Sequence, residues 1–229
     1  MSKTIVLNER QYNNLFLMSE AMMEGFRLDM LRGKSFRQKV IYLNEYLGKP
    51  IGRGSSRYVY QIDDNTVLKL AINAKGLAQN EREYSILRDQ YSSIVPNVYN
   101  GSDDTNYEWI ITDFVLPASK NDFKALVGVP FETIQRYCVW ADTIIHPERD
   151  RGNYKSKMRH EFYIDNENNE ELIELVSAID DLIGSYDIEP GDLSKLNSWG
   201  IKNYNGQAGL VVLDTGLSAD VYKQYYGWK

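Results

Sequence analysis

A closely spaced pair of strand-like segments constrains the fold more than any other feature of the sequence. Residues 57–62 and 66–71 are rich in β-branched and aromatic side chains, and only Asp63-Asp64-Asn65 separates them. Aspartate and asparagine favour tight turns, so the two segments are expected to pair as an antiparallel hairpin. The fold must therefore contain an antiparallel sheet built around this hairpin.

Three further segments follow this hairpin, one of them helical and two of them strand-like. Residues 75–90 have apolar positions with a helical period, whereas residues 95–99 and 108–115 have the composition of strands. The middle of the chain is thus predicted to run strand–strand–helix–strand–strand. This order favours an α+β fold class, with an antiparallel sheet and one helix.

The chain before the sheet, residues 11–47, is predicted to be helical. Apolar side chains recur there at three- or four-residue spacing, which places one stripe along a helix face. Gly33 interrupts the pattern, and a second helical stretch ends at Gly48 and Pro50. We interpret the stripe as packing on the rest of the protein, and the alternative is a helix on which a partner protein docks. The stripe consists of Leu15, Met18, Met22, Phe26 and Met30.

The C-terminal half contains one clear element and one weaker one. Residues 170–183 have the pattern of an amphipathic helix, and a short helix is predicted at 130–142. Residues 184–209 are predicted to form a loop, and residues 210–213 a short apolar strand.

Composition and charge exclude several classes of function. The net charge of −6 over 229 residues argues against a protein that binds nucleic acid by neutralising phosphates. A basic stretch at 149–159 is interpreted as a solvated loop. The single cysteine, Cys138, excludes an internal disulfide, and with only two histidines a structural zinc site is not expected.

Targeting signals and membrane spans are not expected either. No apolar run approaches the roughly 18 residues that a membrane-spanning helix needs. The first ten residues lack the apolar core of a secretory signal. We therefore expect an intracellular, cytoplasmic protein that does not act at a membrane.

Five groups of residues follow one another in an order that suits phosphoryl transfer. A glycine-rich turn lets backbone amides approach phosphate oxygens, and a strand lysine held by a helix carboxylate neutralises them. A loop aspartate orients the attacking hydroxyl and takes its proton, and asparagine and aspartate oxygens hold Mg²⁺. The groups are Gly52-Arg53-Gly54, Lys69, Glu81 with Glu83, Asp192 with Asn197, and Asp214-Thr215-Gly216.

Over roughly residues 48–217, this ordered set resembles the protein-kinase-like superfamily. The glycine turn is similar to G-x-G-x-x-G-x-V, with Arg57 at the place of the third glycine. Lys69 matches the strand lysine, and the interval from Asp192 to Asn197 has the D-x-x-x-x-N spacing of the catalytic loop. Asp214-Thr215-Gly216 looks like the metal-binding D-F-G with threonine in place of phenylalanine.

The resemblance implies a bilobal fold and a Mg-ATP-dependent phosphotransferase. It implies a helical extension at 1–47, an N-lobe at 48–118 and a compact C-lobe at 119–229. Glu83 is preferred to Glu81 as the partner of Lys69, because Asn80, Glu83 and Leu87 share one helix face.

The resemblance also implies a role for each site residue. Lys69, Glu83 and Asp192 would be catalytic, with Asp192 as the base. Mg²⁺ would lie on Asn197 and Asp214. A hinge at 112–116 would receive adenine through its backbone. The implied ATP contacts are Gly52, Arg53, Gly54, Ser55, Arg57, Val59, Lys69, Thr112, Asp113 and Val115.

The departures from the family pattern leave alternatives open. Pro190-Gly191 stands where the family has His-Arg, no A-P-E motif is present, and few residues follow Asp214. One alternative is a pseudokinase that acts as a nucleotide-binding or protein-interaction module, and another is an AMP transferase on the same fold. The phosphate acceptor, a protein or a small molecule, is left open. The small, trimmed form is also typical of a compact viral or mobile-element (for example phage) protein.

Overall fold

The computed structural model describes residues 25–89, 94–102, 106–147, 162, 165–204, 207–216 and 218–226. The chain divides into two compact units. Unit 1 contains the described residues up to Tyr84 together with 97–114, and unit 2 contains those of 85–96 and of 115–229. The boundary at Phe114 falls within the stretch that the sequence predicts as a hinge.

Unit 1 is built on a five-stranded antiparallel sheet with the strand order β1-β2-β3-β5-β4. The predicted hairpin is confirmed, because β2 pairs with β3 in a register that places Val59 opposite Lys69. The Asp63 carboxylate closes its tip by accepting the amides of Asn65 and Thr66, both at 2.7 Å. The strands are β1 Gly52–Arg53, β2 Arg57–Gln61, β3 Thr66–Ala71, β4 Val98–Gly101 and β5 Trp109–Asp113.

Helical segments cover the first face of this sheet. A 3₁₀ helix at Leu28–Leu31 and helix α1, Phe36–Tyr46, bury apolar side chains against alternate residues of the strands. Of the two stripe residues that the structure describes, Phe26 is buried in this cluster, whereas Met30 is 44% exposed. The helical structure predicted here is wrong for residues 25–27 and 32–35, which lie outside the 3₁₀ helix and α1. The cluster consists of Phe26, Leu31, Leu43, Tyr60, Ile62, Leu68, Leu70, Trp109 and Ile111.

The second face of the sheet carries helix α2, Ala74–Asp89. Asn73 caps the helix by accepting the amide of Gly76 at 3.0 Å. A Cβ atom at Gly76 would lie 2.1 Å from the Ser56 carbonyl oxygen and 3.1 Å from Ala71 Cα. Glycine at this position therefore lets the first turn of α2 lie directly on β2 and β3.

Unit 2 combines helices with a three-stranded antiparallel sheet of order β6-β7-β8. Its core includes Phe123, whose ring packs edge-on against both Phe131 and Trp199. The strands are β6 Leu116–Pro117, β7 Trp199–Tyr204 and β8 Gln207–Val212. The helices are α3 Lys120–Val127, α4 Phe131–Ile145, α5 Glu170–Tyr186, α6 Pro190–Leu193 and α7 Ala219–Tyr226, with a 3₁₀ turn at Leu196–Ser198.

The predicted loop at 184–209 is wrong. It contains the C-terminal turn of α5, helix α6, strand β7 and the start of β8. Gly200 is the second residue of β7, and a Cβ atom there would be 2.4 Å from Val115 Cγ1 and 2.7 Å from the Leu116 carbonyl oxygen. A residue that usually weakens strands is thus required by the close approach of β6.

Other boundaries differ by a few residues. The strand predicted at 95–99 begins after Pro96, which has no amide hydrogen for a ladder. Helix α4 runs three residues beyond the predicted end of the 130–142 helix. Leu15, Met18 and Met22, the basic stretch at 149–159 and the last three residues lie outside the described residues.

The coarse fold class is confirmed: the protein mixes helices with antiparallel sheets, which is compatible with α+β. In the described part of the chain, no helix has both the length and the apolar character that crossing a bilayer requires.

Candidate functional site

The ion pair of Lys69 and Glu83 is the most distinctive polar feature of unit 1. Lys69 lies in the middle of the central strand β3 and points to the face covered by α2. Its Nζ atom donates to Glu83 Oε1, and the side chains of Lys69 and Glu83 are 9% and 0% exposed. Glu81 is exposed, so the structure pairs Lys69 with the preferred glutamate.

Arg57 also binds the Glu83 carboxylate. Its Nη1 atom lies 2.5 Å from Glu83 Oε2 and 3.2 Å from Asn80 Oδ1. The Asn80 amide donates to the carbonyl oxygens of Lys69, at 3.3 Å, and Tyr107, at 2.9 Å. Each Glu83 oxygen therefore has its own cation. We call Arg57, Lys69, Asn80 and Glu83 the buried ion cluster.

The sequence places Arg57 at the third-glycine position of a phosphate loop. The structure instead places its guanidinium in the buried ion cluster, with the side chain 7% exposed. Arginine suits this position because its planar fork can bind a carboxylate and an amide oxygen together.

The turn after β1 is fastened to the start of α2. The amide of Gly54 donates to the Arg57 carbonyl at 2.9 Å, which closes the turn. Ser55 accepts hydrogen bonds from Asn73 Nδ2 at 2.9 Å and Lys75 Nζ at 2.7 Å. The Ser56 hydroxyl donates to Gln79. The glycine turn and the helix that carries Glu83 thus form one connected structure.

Gly52 and Gly54 differ from the glycines that the fold requires. Neither has a positive φ. A Cβ atom would be 3.5 Å from Val59 at Gly52 and 3.7 Å from the Arg57 carbonyl at Gly54, both ordinary contact distances. Packing among the described residues therefore gives no reason for glycine at either position, unlike at Gly76. Arg53 lies beside them, with its guanidinium over the Tyr58 ring.

The first part of the predicted hinge, residues 112–114, is engaged within unit 1. The amides of Asp113 and Phe114 donate to the carbonyl oxygens of Asn97, at 3.1 Å, and Asn65, at 2.6 Å. The Asp113 carboxylate accepts from the Asn97 amide and the Tyr99 hydroxyl. Thr112 and Val115 are buried. The Asp113 and Phe114 amides are therefore committed to the fold.

In unit 2, Asp192 lies on a one-turn helix, α6, and not in the predicted loop. Lys195 Nζ binds Asp192 Oδ1, and the two side chains are 59% and 24% exposed. The indole of Trp199, which is fully buried, donates to the Leu193 carbonyl at 2.8 Å and fastens this segment to β7.

The two predicted metal ligands lie at the same end of the β7–β8 hairpin. Trp199 pairs with Val212, and the amide of Leu213 donates to the Ser198 carbonyl at 2.8 Å. Asn197 comes directly before Ser198, and Asp214 comes directly after Leu213. Both side chains are exposed. Asp214 Oδ1 accepts the amide of Gly216 at 3.0 Å. The two residues thus lie next to the bonded pair of Ser198 and Leu213, at one end of the hairpin.

Most of the predicted residues therefore fall into two groups, one in each unit. The group in unit 1 contains an ammonium that a carboxylate holds in one position. The group in unit 2 contains carboxylate and amide oxygens, which are the ligands that hard cations prefer. Cys138 joins neither group, because burial raises the pKa of its thiol and keeps it protonated.

Sequence reasoning missed three partners. Helix geometry places Asn80 on the same face as Glu83, but its hydrogen bonds have no sequence signal. The engagement of Arg57 with Glu83 has none either, because pairing across 26 residues depends on how α2 lies on the sheet. Lys195 has a signal: it follows Asp192 by three residues, a spacing that brings opposite charges together on a helical turn.

Comparison with known proteins adds no relative: no protein-family model matches the chain, and no curated protein matches it significantly in sequence.

Proposed function

We propose that the chain is a Mg-ATP-dependent phosphotransferase with a site of the protein-kinase-like type. The observation that carries the proposal is the buried pair of Lys69 and Glu83. A strand lysine oriented by a helix glutamate is a part that kinase catalysis requires. It lies on the strand and on the helix that the resemblance assigns to it.

A functional role explains the burial of this ion pair better than a contribution to stability does. Apolar residues of similar volume often replace a buried ion pair without loss of stability. A lysine that a carboxylate holds in one position can meet a phosphate at a defined place, which an apolar side chain cannot do. Lys69 would neutralise the α- and β-phosphates, and Glu83 would orient it.

Gly52 and Gly54 would let the phosphates come close to the turn, because neither residue has a side chain there. Since packing within the described residues does not require glycine at either position, close approach of a ligand explains both. Arg53 lies between the two glycines, and Ser55 follows them.

The unit 2 residues would act on the metal and the acceptor. Mg²⁺ keeps several water ligands and takes few protein oxygens, which suits the exposed end of the hairpin at Asn197 and Asp214. Asp192 would orient the acceptor hydroxyl and take its proton. The Lys195 ammonium beside it would neutralise charge on the transferred phosphoryl group.

A nucleotide-binding module without transfer is the second candidate. It is favoured by the pairing of Asp192 with Lys195, which occupies one oxygen of the proposed base. It is also favoured by the amides of Asp113 and Phe114, which are already bonded within unit 1.

Hydrolysis of ATP, followed by ³¹P NMR, separates these candidates. A phosphotransferase with water as acceptor releases ADP and phosphate, an AMP transferase releases pyrophosphate, and a binding module releases neither. Asp192→Asn should lower ADP formation by about 10²- to 10⁴-fold and leave thermal stability unchanged. Asp181→Asn, an exposed carboxylate on α5, is the control. Unchanged turnover in Asp192→Asn would contradict the assignment of the base.

A further inference from the structure

Three metal-ligating side chains converge in unit 2, and none of them is assigned above to ATP, Mg²⁺ or the acceptor. They are Asp142 and His146 on α4 and Glu189 at the start of α6. One ligand atom from each side chain lies within 4.8 Å of those of the other two. We call them the Asp–His–Glu cluster.

Two elements hold the cluster in place. Asp142 and His146 are four residues apart in the last turn of α4, so both side chains lie on one helix face. The amide of His146 donates to the Asp142 carbonyl at 2.8 Å, which fixes this turn. Glu189 approaches from α6, and its side chain is 5% exposed.

One of the three donor–donor distances matches a shared cation. Donor atoms about 2.0 to 2.2 Å from a metal lie about 2.8 to 3.6 Å from one another in octahedral or tetrahedral geometry. His146 Nε2 lies 3.1 Å from Glu189 Oε2. The same spacing suits a hydrogen bond between imidazole and carboxylate, so Asp142 is the discriminating residue.

Asp142 adds a second carboxylate to a site that an ion pair alone would not need. Two carboxylates within 4.8 Å repel each other, more strongly where one of them is buried. A divalent cation held by all three side chains would offset this repulsion. A Cβ atom at Gly191 would be 3.5 Å from Asp142 Oδ1, so this carboxylate lies against the segment that leads to Asp192.

We propose that the Asp–His–Glu cluster binds one divalent transition-metal ion, of the class of Zn²⁺ or Mn²⁺. One imidazole nitrogen with two carboxylate oxygens suits these ions, whereas Mg²⁺ and Ca²⁺ prefer oxygen ligands alone. Three protein ligands leave a position for water. The proposal does not depend on the proposed function, because none of its residues is assigned to nucleotide or acceptor.

Titration of the full-length, metal-free protein with Co²⁺ in the absence of nucleotide tests this site. Co²⁺ substitutes for Zn²⁺ in such ligand sets, and its visible absorption reports nitrogen and oxygen ligation. The expected result is one bound Co²⁺ per chain, displaced by Zn²⁺. Glu189→Gln and Asp142→Asn should each weaken binding by about 10- to 100-fold or more, since even the loss of outer-shell partners has that effect.

Matched controls show where the ion binds. His160→Gln changes the only other histidine, and Asp214→Asn changes the proposed Mg²⁺ site, and both should leave Co²⁺ affinity unchanged. If Glu189→Gln fails to fold by circular dichroism, Asp142→Asn still gives the answer, because its carboxylate is less buried. No Co²⁺ binding, or affinity that Asp142→Asn does not change, would overturn the proposal and leave only an ion pair of His146 and Glu189.

Discussion

The buried ion cluster of unit 1 and the exposed hairpin end of unit 2 are built in different ways. In the first, Arg57, Lys69 and Glu83 have at most 9% of their side chains exposed, and side chains hold one another in place. In the second, Asn197 and Asp214 are exposed, and backbone hydrogen bonds of the hairpin position them. The charged side chains of the first group bind one another within the folded protein, whereas the oxygen atoms of the second group would bind a metal ion.

This difference separates stability from ligand binding. Substitutions in the buried ion cluster should change the free energy of unfolding, because they leave buried charges without partners. Substitutions at the hairpin end should change ligand binding alone, because water already solvates these side chains.

Glu83→Gln should have the largest effect. It removes the negative charge that both Lys69 and Arg57 bind, and we expect the free energy of unfolding to fall by about 3 to 5 kcal/mol. Urea denaturation measures this change. Glu81→Gln, on the exposed side of the same helix, should change it by less than about 0.5 kcal/mol. Equal effects of the two substitutions would show that the cluster does not stabilise unit 1.

Gly76→Ala should have the next largest effect. The added Cβ would meet the Ser56 carbonyl oxygen at 2.1 Å, so α2 must shift away from the sheet. Overpacking of this kind costs about 1 to 3 kcal/mol, measurable by urea denaturation. Gly184→Ala in α5 is the control, because nothing lies within 4 Å of its Cβ position. It should stabilise the protein by about 0.5 to 1 kcal/mol.

Asp214→Asn should leave unfolding nearly unchanged and affect the metal. The asparagine oxygen can still accept the Gly216 amide, so the free energy of unfolding should change by less than about 0.5 kcal/mol. The additional thermal stabilisation that Mg²⁺ gives in the presence of ATP should fall, because one carboxylate ligand is lost. A large loss of stability in the absence of ligand would contradict the description of Asp214 as a residue that backbone hydrogen bonds hold in place.

Gly52→Ala and Gly54→Ala should have the smallest effect on unfolding. Both Cβ positions are at ordinary contact distances. The free energy of unfolding of each ligand-free variant should therefore lie within about 0.5 kcal/mol of that of the parent. Nucleotide binding, measured by calorimetry, should weaken because the new methyl groups obstruct the approach of phosphate. Unchanged nucleotide affinity in both variants would show that this turn does not bind phosphate.

Local patterns predicted the central hairpin of unit 1 and the helix that follows it well. The hairpin at 57–71 has a strong composition signal and a turn of Asp63-Asp64-Asn65, and both strands formed as expected. The choice of Glu83 over Glu81 followed from helix geometry alone, because only one face of α2 can meet the sheet.

Long-range packing explains what the sequence did not predict. Strand β7 was missed because Gly200 and Asn203 weaken its strand signal, although Asn205-Gly206 is a residue pair that favours two-residue hairpin turns. The need for glycine at 200 arises from β6, which comes from a distant part of the chain. The burial of Arg57 likewise depends on the placement of α2 and not on the neighbours of Arg57 in sequence.

Thermal unfolding of the parent and of Lys69→Met, each with and without Mg-ATP, tests the central claim most directly. The unfolding midpoint of each protein with Mg-ATP is compared with its own midpoint without ligand. At 100 times its Kd, a ligand stabilises the folded state by about 2.7 kcal/mol. We expect this stabilisation in the parent and in the control Lys124→Met, an exposed lysine on α3, and its loss in Lys69→Met. Equal stabilisation of Lys69→Met by Mg-ATP, or none in the parent at millimolar ATP, would contradict a nucleotide site built on Lys69 and Glu83.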